Sequence, residues 1–208
     1  MLQNTNKEHH YLILNCLNDV NLDILKTRCK LIKNKTTILL IRDYKAINRI
    51  GILKQVSTLC TCIFAVDSLL DLDGFLKYNS IDFKFHKINL HIKQSFLQEF
   101  YTLPFRYKLA ILKFAKTTSI HNSHELAIAK RYNIKQAFVS PIFTTISDGR
   151  IKSGIGYLHF YKIAKLNAQF NIDSFALGGL NQERFNKMKK FNTNFPITSY
   201  GLSYRPDS

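Results

Sequence analysis

Arg42, Asp67, His86, the pair Ser119 and His121, and Gly178-Gly179 each sit within or just after an apolar run of this chain. Another run ends on a hydroxyl-rich segment, Ser140-Pro-Ile-Phe-Thr-Thr-Ile-Ser147, which contains Thr145 and Ser147. Guanidinium groups, hydroxyls and the amides of adjacent glycines hold phosphoryl oxygens, and an aspartate can support a divalent cation. No P-loop, GxSxG, HExxH or GxGxxG is present. Each residue also has a local explanation. Arg42 can pair with Asp43 or Asp67, and Asp67 before Ser68 can cap a helix. His86 can be a packed strand residue. Ser119 and His121, two apart, share a face of a strand or belong to a hydrogen-bonded turn. Gly178-Gly179 lets a backbone approach a phosphate, or makes a tight strand-to-helix turn. Their shared position along the chain unites them.

The runs that position these residues read as buried strands. They are Tyr11–Leu14, Thr37–Ile41, Cys62–Val66, Phe83–Ile88, Phe114–Ile120, Ala137–Ser140 and Ser174–Leu177. They are nearly continuous rather than alternating, as parallel strands covered on both faces should be. Helical spacing fills the intervals: Leu22–Ile32, Lys45–Leu59, Leu69–Tyr78, Ser123–Tyr132, Leu158–Phe170 and Gln182–Lys190. Asn122-Ser-His-Glu125 has the form of a capping box. This rhythm fits a (β/α)8 barrel or an open doubly wound sheet, and both carry ligands at the C-terminal ends of their strands. An eighth strand is expected near Ile197–Tyr200 with no full helix after it, so a barrel would be shortened at its C-terminal end. Residues 11–204 read as one domain after an N-terminal extension over 1–10. Pro104 makes Ile92–Ala110 the least legible stretch.

The chain has 208 residues, with 30 Lys+Arg against 14 Asp+Glu and a formal charge of +16. An apolar fraction of 46% is too high for a disordered chain, and 8 Gly with 4 Pro exclude collagen-like classes. The charge invites a nucleic-acid reading, but the lysines are scattered and no zinc-finger, basic-zipper or Arg-Gly pattern accompanies them. No specific nucleic-acid partner and no membrane partner is expected. Cys60 and Cys62 alternate along an apolar run as small core residues, and no CxxC occurs. The start lacks a signal-peptide pattern and no apolar run reaches ~18 residues, so a cytoplasmic location is expected.

The second half resembles the thiamine phosphate synthase/TenI family. The matching blocks are Ser119-Ile-His121-Asn-Ser-His-Glu125, Ser140-Pro-Ile-Phe-Thr-Thr145, Gly154-Ile-Gly156 and Ala176-Leu-Gly178-Gly179. They follow the family's S-x-H-x-x-x-E, G/S-P-x-F-P-T, helix-opening glycine and A-x-G-G motifs in order and at similar spacing. The first half is weaker: Leu40-Ile-Arg42-Asp43 resembles Q-L-R-E/D, and Asp82-Phe-Lys-Phe-His86 resembles D-G-V-H. The resemblance implies a single (β/α)8 TIM barrel. It implies an enzyme that joins an aminopyrimidine methyl diphosphate to a thiazole phosphate and releases pyrophosphate. Arg42 and Ser119 would then hold the diphosphate, with His86 and His121 beside the reacting groups, and Asp67 would support Mg2+. Gly178, Gly179, Thr145, Ser147, Lys45, Arg150 and Lys152 would contact the phosphorylated pyrimidine and thiazole substrates, and a homodimer is compatible with the family.

The chain departs from the pattern at several positions. Leu40 stands for the family's glutamine, Tyr44 for a lysine and Val66 for an asparagine. Leu90 or His91 stands for an acidic metal ligand, and Asp148 for a lysine. Pro141 replaces the histidine of the family's thiazole tautomerases. The alternative reading is therefore a TenI-like barrel that binds or isomerises a thiazole phosphate, or another phosphorylated ligand, without synthase activity.

Overall fold

In a computed structural model of the chain, the described residues are 9–14, 23, 36–42, 49–57, 61–81, 88–147, 150–191 and 197–203. The strands are β1 (His9–Leu14), β2 (Thr36–Ile41), β3 (Thr61–Val66), β4 (Asn89–Ile92), β5 (Ala115–Ser119) and β6 (Gln136–Val139). After them come β7 (Thr145–Ser147), β8 (Arg150–Lys152), β9 (Asp173–Ala176) and β10 (Ile197–Ser203). The helices are α1 (Arg49–Val56), α2 (Leu69–Ile81), α3 (Gln94–Gln98), α4 (Phe105–Phe114), α5 (Ser123–Arg131), α6 (Tyr157–Gln169) and α7 (Gln182–Phe191).

Strands β2, β3, β4, β5, β6 and β9 pair in that order, all parallel, as a curled sheet. At its edges β1 pairs with β2 and β10 with β9, and β1 and β10 pair with each other, which closes the order. Each strand from β2 to β9 of this ring is followed by helix, so every connection is a crossover of the kind parallel strands require. The stretch after β1, where the spacing predicts a helix over Leu22–Ile32, lies outside the described residues apart from Asp23, as do residues 204–208 after β10.

The near-continuous apolar character of the strands has a physical cause in two packed layers. Leu39, Ile41, Cys62, Phe64, Val66, Leu90 and Ile92 alternate with their neighbours and join helix residues such as Leu53, Leu72, Phe75 and Ile111 in the larger core. The intervening residues Ile38, Leu40, Ile63, Ala65, Phe138, Phe175 and Leu177 form a second cluster with no helix residue in it. They face the inside of the curl. Phe138 links this interior to β4 and β9, with ring centroids 5.3 Å from His91 and 5.8 Å from Phe175.

Strand β4 differs from expectation. It is Asn89–Ile92 and not Phe83–Ile88; residues 82–87, including His86, lie outside the described residues. Its polar Asn89 and His91 hid it from a search for apolar runs. A parallel strand needs apolar residues on its helix-facing side, which Leu90 and Ile92 supply, while its inner face accepts a neutral imidazole. Pro104 does not interrupt a helix; it is the N-cap of α4, where its fixed φ of −55° and missing N–H cost nothing. The Asn122 cap is as expected: its Oδ1 accepts from the Glu125 amide at 3.0 Å. No described helix is long and apolar enough to cross a membrane.

Candidate functional site on the mouth of the curled sheet

Side-chain direction alternates along a strand, so residues two apart share a face. Arg42 continues the inward row of Ile38 and Leu40, and Asp67 that of Ile63 and Ala65. Lys93 continues that of His91, and Ser119 that of Thr117. These four therefore emerge together at the C-terminal ends of the adjacent strands β2, β3, β4 and β5. The inner face below them is buried. His91 and Thr117 are buried, with His91 Nδ1 2.9 Å from Thr117 Oγ1.

Burial, and then the positive charge of Arg42, push the His91 imidazole down from its usual 6.5 to about 3. It is thus a neutral hydrogen-bonding group at physiological pH. The unfolded chain binds this proton near pH 6.5 and the folded chain only near 3, so His91 contributes stability above pH 6.5 that is lost progressively as the pH falls towards 3. At pH 4.5 the loss from this group amounts to about 2–3 kcal/mol. Urea midpoints at pH 7.5 and 4.5 measure it. His91→Gln, which keeps a partner for Thr117, should show a smaller acid-induced drop than the native chain; equal drops would contradict the buried placement.

Asp67 and Lys93 face each other, with Lys93 Nζ 2.6 Å from Asp67 Oδ1 and side chains 53% and 30% exposed in the order Lys93, Asp67. Lys93 carried no signal in the sequence, because strand four was placed before it. Asp71 of α2 bonds the amides of Asp67 and Ser68 at 3.0 and 3.1 Å and so fixes the turn that presents Asp67. Among the described residues, no three His, Cys, Asp or Glu side chains gather as a metal site. A protein-bound Mg2+ lies 2.0–2.1 Å from its oxygens and wants several oxygen donors. Around Asp67 the described donor set is one carboxylate already engaged by an ammonium, which does not fit that ion.

His121 lies two residues past the end of β5, in the turn before α5. Its amide and its Nδ1 both meet Glu125 Oε2, at 2.6 and 2.9 Å. The hydrogen-bonded turn is the reading that holds for His121, and Ser119 alone remains in the inward row. Lys45 and His86 lie outside the described residues.

Across the mouth, the segments after β6 and β9 are built as one unit. Ile142 donates to Leu177 O at 2.9 Å and Phe143 to Gly178 O at 3.1 Å. Gly178 and Gly179 have φ of +86° and +66°, a conformation costly for any side chain. A Cβ on Gly178 would lie 2.7 Å from Pro141 Cα, and one on Gly179 would lie 2.8 Å from Phe143 Cβ. Both glycines are therefore required by packing. No acceptor among the described residues meets their amides. Arg184 of α7, not singled out in the sequence, donates to Gly179 O and lies 5.0 Å above the Phe143 ring, tying the unit to the helix.

Thr145, Ser147, Arg150 and Lys152 lie in two short strands. They form the antiparallel hairpin β7–β8, with Thr145 opposite Lys152 and Ser147 opposite Arg150. All four are brought together in one short ribbon between β6 and α6. The sequence concealed it because strands of three residues leave no periodicity to read.

No protein-family model matches the chain, and no curated protein matches it in sequence. Among solved structures, it is similar to thiamine phosphate pyrophosphorylase from Pyrococcus furiosus, with a TM-score of 0.61 at 16% identity over 95% of this chain and 86% of that one. It is also similar to a Coccidioides immitis protein assigned as a fructose-1,6-biphosphate aldolase, with a TM-score of 0.59 at 9% identity over 95% and 77%. At these identities the likeness is one of fold.

Proposed function

We propose that this chain is a (β/α)8 barrel, shortened at its C-terminal end, that forms thiamine phosphate from an aminopyrimidine methyl diphosphate and a thiazole phosphate. The observation that carries this is the mouth itself: Arg42, Ser119 and the Gly178-Gly179 amides, which meet no acceptor among the described residues, stand at the ends of strands of one ring, on the face where parallel α/β folds bind ligands. The pyrophosphorylase similarity in fold agrees with it.

In this reading the bond from the pyrimidine methylene carbon to the diphosphate oxygen breaks, and the thiazole nitrogen lone pair forms the new C–N bond. The diphosphate departs as pyrophosphate, and positive groups on the mouth stabilise its growing charge. Arg42 and Ser119 bind that leaving group. The Gly178 and Gly179 amides hold the thiazole phosphate at a fixed distance, because the Pro141–Phe143 segment behind them cannot yield. The buried inner face around His91 excludes water from the carbocation. No step is assigned to Mg2+.

The Lys93–Asp67 pair favours a second reading, in which the barrel binds or isomerises a phosphorylated ligand without the synthase reaction. Thermal unfolding distinguishes the two. The synthase reading expects thiazole phosphate to raise the midpoint, and the aminopyrimidine methyl diphosphate to raise it further in the same sample. A rise with the thiazole phosphate alone selects the second reading; no rise with either rejects both.

A further inference from the structure

We propose that the exposed side of α4 is a membrane-contact face, which lays Phe105, Leu109 and Leu112 on a bilayer rich in anionic lipid. The inference goes beyond the chemistry of the mouth and does not depend on it.

Helix α4 is apolar on both sides. Tyr107, Ala110 and Ile111 are buried where it packs over β4 and β5. Phe105, Leu109 and Leu112, spaced by four and three, form a stripe that is 73%, 50% and 57% exposed, and Tyr101 just before the helix is 66% exposed. Among the described helices no other carries three exposed large apolar residues. A helix apolar all round belongs where both of its sides are covered.

Charge identifies the cover. Arg106, Lys108 and Lys113 are the charged residues of α4, and no Asp or Glu stands between Glu99 and Glu125. A second copy of the chain would set these cations against their like. The stripe and Tyr101 also fall short of the roughly 800 Å² per partner that a stable dimer buries. A protein partner bearing carboxylates would need directed pairing, but Arg106 already pairs with Asp73 of α2 at 3.2 Å, and Lys108 Nζ donates to Tyr101 O at 2.7 Å. The diffuse negative potential of an anionic leaflet needs no such direction. Its acyl boundary accepts protruding Phe and Leu side chains while Lys and Arg stay among the headgroups. Such a contact needs no spanning run, so composition gives no sign of it.

Cosedimentation of the full chain with extruded vesicles tests this. At ~0.15 M salt the chain should pellet with vesicles of equal phosphatidylglycerol and phosphatidylcholine, and roughly 10-fold more weakly with phosphatidylcholine alone. The triple variant Phe105→Ser, Leu109→Ser, Leu112→Ser should partition to the anionic vesicles at least about 10-fold more weakly, with little change in thermal midpoint because all three residues are exposed. Phe105→Ser alone, at the most exposed of the three, should already weaken it several-fold. Absence of binding to the anionic vesicles overturns the proposal. So do variants that bind like the native chain, since the +16 charge alone would then account for the adhesion. Sedimentation equilibrium reads the other occupant: a native dimer that the triple variant dissolves assigns the face to a second copy, and that too overturns the proposal. Neither reading of the mouth is touched by these results, because the stripe lies in the helix layer.

Discussion

Replacing Gly178 by alanine should lower stability by about 2–5 kcal/mol, from a left-handed backbone that a side chain resists and a methyl forced into packed backbone. For a domain of this size that is a fall in Tm of roughly 5–15 °C. The Cβ would meet Pro141 Cα and Cβ at 2.7 Å, and Pro141 cannot retreat, because its neighbour Ile142 is bonded to Leu177 O and its own carbonyl accepts from Ile155 at 2.9 Å. Gly156 is the control. Its φ of +79° is similar, with ψ of 157°, but nothing lies within 4 Å of a Cβ there, so Gly156→Ala should cost only the backbone part, about 1–3 kcal/mol. Thermal denaturation of both variants measures the difference. Equal losses would mean that the Pro141–Phe143 segment does not back the double glycine, and its use as a rigid phosphate cradle would fail with it.

Phe138→Ala should be as damaging, at about 3–5 kcal/mol. Phe138 is fully buried and bridges His91 and Phe175 across the inside of the curled sheet. Removing its ring leaves a cavity that strands fixed by their ladders cannot collapse to fill. Phe138→Leu retains most of the volume and should cost less, about 1–2 kcal/mol. Urea unfolding at pH 7.5 is the measurement. A loss below about 1 kcal/mol for Phe138→Ala would show that the interior is not tightly packed, contrary to the buried inner face that the proposed chemistry needs.

Much of the fold was legible because the helix-facing side of every parallel strand must be apolar. Thr37–Ile41, Cys62–Val66 and Ser174–Leu177 carry apolar residues on the inner face as well, and their strands are found within a residue or two of expectation. Strand β4 escaped because only half of it obeys that rule. Leu90 and Ile92 meet the helices, while Asn89 and His91 face inward. That one displacement hid Lys93, whose importance depends on lying two residues past an inward histidine, and directed attention to His86. The Asn122 cap was legible since a cap is local, whereas its Glu125 turned back to His121, a contact that no spacing rule distinguishes from a shared strand face. Gly178-Gly179 was marked by composition alone, but the reason for both glycines, the Pro141–Phe143 segment behind them, is a long-range contact. Arg184 is not marked by any motif in the sequence. Its hold on Gly179 O depends on where α7 begins.

Most of the +16 charge, which at first points to a polyanion partner, is scattered along the chain; Arg42 and Lys93 at the mouth and Arg150 and Lys152 on the hairpin are a small share of it. The most direct test of this account mixes the full chain with an aminopyrimidine methyl diphosphate and a thiazole phosphate, and follows both products by chromatography. Thiamine phosphate and pyrophosphate appearing in equal amounts is the predicted result. Neither product, together with no binding of thiazole phosphate by the same sample, would contradict it.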